Sequence, residues 1–179
     1  MATSARARPW RSATAATVVA DAAFALGAIA LAGEAAVHIQ QYASLVHGVR
    51  WIGPLFLANA AACMAAIAAL AYPGTRQLAA WAGVVISALA LASLIVSYGR
   101  EGGLFGWREG GFRTAIVFAV ITELAAAVLL STALVATAGL VLARRDRVPS
   151  AHGEEGIRED EPSRHHQLPR LGAGSERTA

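Results

Sequence analysis

Residues 52–98 decide the fold: IGPLFLANAAACMAAIAALAY (52–72), PGTR (73–76), QLAAWAGVVISALALASLIVSY (77–98). Neither apolar run contains a charged residue. Each is as long as the roughly 20 apolar residues a helix needs to cross a hydrocarbon core. Between them, Pro73-Gly74 is turn chemistry, because Pro presets φ and Gly accepts φ > 0. Gly53-Pro54 opens the first run, where a helix tolerates Pro because its missing N–H is an orphan there anyway.

Two more runs flank this pair. One spans about 14–38 and is interrupted by Asp21 and Glu34. The other spans about 114–143 and carries one charge, Glu123. In lipid the backbone finds no water to bond, so such segments fold as helices, and apolar residues all round each run argue against barrel strands. The expected fold is an all-α membrane protein, a four-transmembrane-helix bundle over 14–143. Residues 1–13 are expected to be a flexible N-terminus and 144–179 a disordered tail. That tail has seven Arg, seven acidic residues and almost no large apolar side chain, so it cannot bury enough surface to offset the entropy of ordering.

The whole chain has 179 residues, 56% hydrophobic and only 15% charged. Its net charge of +3 is not a nucleic-acid footprint, since no basic patch interleaves with aromatics. Every basic residue is Arg, which points to coding bias. Arg6, Arg8, Arg11, Arg76, Arg144, Arg145 and Arg147 would share one side of the membrane. Arg50, Arg100, Arg108 and Arg113 would share the other, with Glu101 and Glu109. The excess on the first side places both termini in the cytoplasm by the positive-inside rule, at the bacterial plasma membrane. Trp51, Trp81, Trp107, Tyr42, Tyr72 and Tyr98 fall near helix ends, as interfacial aromatics do. A rival reading takes residues 1–32 as a signal peptide ending at Ala30-Leu31-Ala32, but Asp21 interrupts that run and the apolar character continues past it.

Charges inside a span are costly and tend to face the bundle interior or a cavity. Glu34 and His38 are four apart, hence on one helix face, and Tyr42 extends that face. Gln41 lies beside the same stripe. Glu123 sits roughly 13 Å along the fourth helix from Thr114. The first and fourth helices could therefore present Glu34, His38 and Glu123 to one another. Such a set could relay protons, ligate a divalent metal, or hold the polar head of a quinone or lipid-like molecule. It could equally serve as interhelical glue. Arg50 could reach Glu34 or cap the pocket, or simply anchor at the interface with Trp51; Asn59 could hydrogen-bond across the bundle. Asp21 is expected near the membrane surface, within reach of Arg76. Cys63 stands alone and reads as a buried small hydrophobe. Residue types give no cofactor. A bis-His haem has no second ligand, and no nucleophile–base set, phosphate loop or dinucleotide motif occurs.

The pattern Glu34, His38 and Tyr42, then Arg50 and Ile52-Gly53-Pro54-Leu55-Phe56 with Asn59, resembles a set of uncharacterised four-helix integral membrane proteins of actinobacteria. The resemblance covers the first two helices and their loop best. It implies the same topology and a plasma-membrane location, and no activity. In size and helix number the chain is also similar to DoxX-like membrane proteins, some of them tied to redox systems. The functional expectation is an accessory or small-molecule-binding bundle whose partners are the bilayer and a homo-oligomer or larger membrane complex. The alternatives are a redox or proton-handling component using Glu34, His38 and Glu123, and a small transporter acting as an oligomer.

Overall fold

The computed structural model describes residues 9–99, 101–111 and 113–145. These form α1 (Pro9–Gln41), α2 (Ile52–Leu70), α3 (Arg76–Gly99) and α4 (Thr114–Arg145), with a short π-helical turn, Tyr42–Val46, continuing α1. All four helices are long and apolar enough to cross a membrane. Arg144 and Arg145 of the expected tail (144–179) belong to α4, and the rest of it, 146–179, and residues 1–8 lie outside the described residues. The helices overrun the apolar runs at both chain ends: α1 starts at Pro9 rather than Thr14, and α4 reaches Arg145. Hydropathy marks the part of a helix that suits lipid, whereas backbone hydrogen bonding continues into the flanking polar residues. α2 is shorter than its run, because Ala71 and Tyr72 belong to the turn. There Thr75 Oγ1 donates to the carbonyls of Ala69 (2.7 Å) and Tyr72 (3.3 Å).

Successive helices are neighbours, and α4 closes back on α1 along the longest interface. α1 and α3 also touch across one diagonal, while α2 and α4 make no such contact among the described residues. The short diagonal is set by small residues. A Cβ on Gly83 of α3 would stand 3.2 Å from Leu31 Cδ1 of α1, and Cβ atoms on Gly83 and on Gly27 of α1 would each come 2.5 Å from Leu130 of α4, which packs beside both. Leu130 and Leu31 are fully buried there. Within lipid, close packing of this kind rather than apolar burial holds helices together.

The bundle has a turn end, carrying the α2–α3 turn, and a loop end, carrying residues 42–51 and 101–111. At the turn end Arg76 donates to Asp21 Oδ1 (3.2 Å) and to the Leu70 carbonyl (3.2 Å), and its guanidinium lies 5.3 Å from the Phe24 ring centre. The expected reach of Asp21 to Arg76 is what the structure contains. The pair is exposed enough to contribute only about 0–1 kcal/mol.

At the loop end the π-helical turn packs on the start of α2. A Cβ on Gly53 would come 2.6 Å from the Val46 carbonyl oxygen, so only glycine fits. Residues 104–107 form a tight hairpin turn. Leu104 and Trp107 exchange N–H···O bonds of 2.8 and 2.9 Å, and Phe105 and Gly106 both have positive φ, +50° and +82°. That is the primed-turn conformation, which glycine and asparagine adopt readily and phenylalanine does not.

Candidate functional site

Glu34 is fully buried, near the loop end of α1. Its carboxylate accepts from Asn59 Nδ2 of α2 at Oε1 (2.9 Å) and from Ser87 Oγ of α3 at Oε2 (2.7 Å). One side chain thus ties three helices together. Asn59 lies two turns into α2, and Ser87 stands one turn beyond Gly83 on the face of α3 that meets α1. The close approach at Gly83 is what lets a short serine side chain reach Glu34.

One turn further along α1, His38 is buried against Phe56, with ring centres 4.9 Å apart. Its Nδ1 donates to the carbonyl of Glu34 (3.0 Å). A carbonyl oxygen only accepts, so Nδ1 carries a proton, and Nε2 is left facing away from the helix. Nε2 stands 3.9 Å from Glu123 Oε1 on α4. That separation is too long for a hydrogen bond. Glu123 is buried, and its Oε2 has no hydrogen-bond partner among the described residues. One ligand atom from each of Glu34, His38 and Glu123 lies within 4.8 Å of the others.

A cavity of about 350 Å³ runs from this cluster to the loop end. It occupies the diagonal along which α2 and α4 stay apart. Its walls come from the first half of α2 (Ile52 to Ala62) and the second half of α3 (Ile86 to Ser97), the halves remote from their connecting turn. His38, Asn59 and Glu123 form its polar floor, and Leu104 and Trp107 of the hairpin turn lie at its other end. Leu55 and Leu89 both line it and are exposed on the bundle surface, at 46% and 62%. The mouth therefore opens sideways between α2 and α3.

The structure brings together Glu34, His38 and Glu123, and it adds Asn59 in the role expected of it. Two candidates stand apart. Tyr42 is half-buried in the π-helical turn, where its ring packs at Gly53, and it does not line the cavity. The wider π turn breaks the four-residue spacing that would have carried Tyr42 along the Glu34–His38 stripe. Arg50 is exposed, with its guanidinium 5.3 Å from the Trp51 ring centre, so it neither meets Glu34 nor caps the cavity. Gln41 takes the position expected of Tyr42, being buried and cavity-lining. Ser87 is the site residue that the sequence reading missed. Its hydroxyl was a signal in itself, since a buried carboxylate requires donors. Cys63 is buried and free, as expected.

The fold and site define a class: a helical bundle of membrane-spanning dimensions with a polar-floored lateral cavity. Comparison with protein families, curated proteins and solved structures returns no match. The functional reading therefore rests on the chemistry of the cavity.

Proposed function

We propose that this chain is a multi-pass plasma-membrane protein that binds a small amphipathic molecule, taken sideways from the bilayer. The observation that carries the reading is the cavity itself. Its apolar walls end on a buried polar floor, where a carboxylate oxygen of Glu123 lacks a donor. A volume of about 350 Å³ falls in the range of small-molecule sites, which pair apolar walls with a few orienting polar groups. A hydroxyl or amide head would donate to Glu123 and accept from Asn59, while the apolar body lies between Phe56 and the α3 wall. A mouth flanked by Leu55 and Leu89 favours entry from lipid over entry from water. The Arg distribution supports an orientation with both termini in the cytoplasm, so that the loop end faces outward.

Native mass spectrometry of the full chain, released from detergent after membrane extraction, tests the reading. The wild-type protein should retain a lipid-soluble adduct. Ala90→Trp, which fills the cavity from α3, should lose it while keeping the helical content. Equal adducts in both proteins, or none in the wild type, would overturn the proposal.

A further inference from the structure

The geometry points to a divalent metal site in the loop-end half of the bundle, with Glu34, His38 and Glu123 as the protein ligands of a first-row transition ion. The inference does not depend on the amphipathic ligand, since it concerns the cluster beneath the cavity.

Three independent features carry it. His38 has the arrangement of a metal-ligating histidine: one ring nitrogen is committed to a backbone carbonyl, which fixes the tautomer, and the other presents its lone pair. That lone pair faces Glu123 Oε1 at 3.9 Å, a separation that fails as a hydrogen bond and suits two ligands of one ion. Two atoms each about 2.1 Å from a metal stand about 3.4 Å apart at a tetrahedral angle and at most about 4.2 Å apart, so the pair lies within a small side-chain shift of ligating distance. The second feature is Glu123 Oε2, buried and without a donor, which a cation beside the carboxylate would satisfy. The third is Glu34, whose oxygens are oriented by Asn59 and Ser87 while each keeps a free lone pair.

Charge supports the same conclusion. Two carboxylates side by side in a low-dielectric interior need a counter-cation or protons, and the Arg50 guanidinium sits at the Trp51 ring instead. One divalent ion, two carboxylates and a neutral imidazole sum to zero. The three ligand atoms lie within 4.8 Å of one another, so closing on one ion takes a side-chain adjustment of about half an ångström. A mixed imidazole and carboxylate set suits Mn²⁺, Fe²⁺ or Zn²⁺ rather than Mg²⁺ or a thiolate-seeking ion. Because Glu123 and His38 line the cavity, the remaining coordination positions would face it.

The test is metal loading of the chelator-stripped full-length protein in detergent, with Zn²⁺ and Mn²⁺ as probes and Mg²⁺ as control. A variant with His165→Ala and His166→Ala removes the histidine pair of the tail. That variant should retain about one Zn²⁺ per chain with wild-type affinity. Adding His38→Ala or the isosteric Glu123→Gln should weaken binding at least about 100-fold, and Ser87→Ala should weaken it about 10- to 100-fold through its hold on Glu34. Should the ligand variants lose their fold, pulsed electron paramagnetic resonance of Mn²⁺ in the tail variant decides: one directly coordinated imidazole nitrogen is expected. Loss of binding with the tail histidines, unchanged binding in the folded ligand variants, or a Mn²⁺ spectrum without nitrogen coupling would overturn the site. Ala90→Trp should leave metal binding intact, so failure of the metal site and failure of the ligand reading are separable.

Discussion

His38 Nε2 and Glu123 Oε1 face each other across the α1–α4 interface at 3.9 Å, both buried and neither hydrogen-bonded to the other. Glu34, four residues before His38, by contrast accepts one hydrogen bond at each oxygen, from Asn59 and from Ser87. The two carboxylates therefore have different work. Glu34 ties three helices together as well as facing the cluster, whereas Glu123 Oε2 has no donor among the described residues.

Removing a donor to Glu34 should destabilise the bundle modestly. Ser87→Ala and Asn59→Ala should each lower unfolding stability in detergent by about 0.6 to 2 kcal/mol, the range of interhelical hydrogen bonds in membranes. Denaturation followed by circular dichroism measures it. A Ser87→Ala protein as stable as wild type would mean that Oε2 finds another donor.

Close approach at Gly83 predicts a larger cost. Gly83→Val would drive a side chain into Leu130 and Leu31, and overpacking of this kind costs about 1–3 kcal/mol. Gly139 of α4 is the control, because a Cβ there meets nothing within 4 Å. Gly139→Ala should be neutral or stabilise by up to about 1 kcal/mol through helix propensity. Equal effects at the two glycines would contradict the packing described.

The hairpin turn beside the cavity should tighten when its strain is relieved. Phe105 has φ +50° and an exposed side chain, so Phe105→Gly removes a left-handed penalty of about 1–2 kcal/mol without losing core packing. Hydrogen exchange at the Leu104 and Trp107 amides, which bond across the turn, should slow. Faster exchange would show that Phe105 holds the turn rather than straining it.

The flanking arginines predict an orientation. A fluorescent protein fused after Ala179 should fluoresce, and an alkaline phosphatase fusion at the same place should be inactive, because both report a cytoplasmic C-terminus. An active phosphatase fusion would invert the topology and place the cavity mouth nearer the cytoplasmic face.

How far the structure was legible in the sequence depends on what each residue had to signal. The α2–α3 hairpin was plain, since uncharged runs of spanning length separated by Pro73-Gly74 allow little else. The meeting of Glu34, His38 and Glu123 followed from equal depth along two helices and from the cost of leaving such groups in lipid. Arg50 misled because its length lets it reach many partners, and the neighbouring Trp51 ring competes for it at the surface. Tyr42 misled because a π turn is a local departure from 3.6-residue geometry, which periodicity arguments assume. Ser87 could be placed only once the Gly83 contact set the distance between α1 and α3. The cavity had no sequence signature, because it arises where α2 and α4 fail to meet.

The most direct test of a lipid-open cavity ending on Glu123 is labelling by dicyclohexylcarbodiimide, an apolar reagent that modifies protonated carboxyl groups reached from the bilayer. In chelator-treated membranes at mildly acidic pH, mass spectrometry should find the adduct on Glu123 and not on Glu34, and Ala90→Trp should suppress it. Modification of Glu34 in place of Glu123, or labelling of Glu123 that the filled cavity leaves undiminished, would contradict the account.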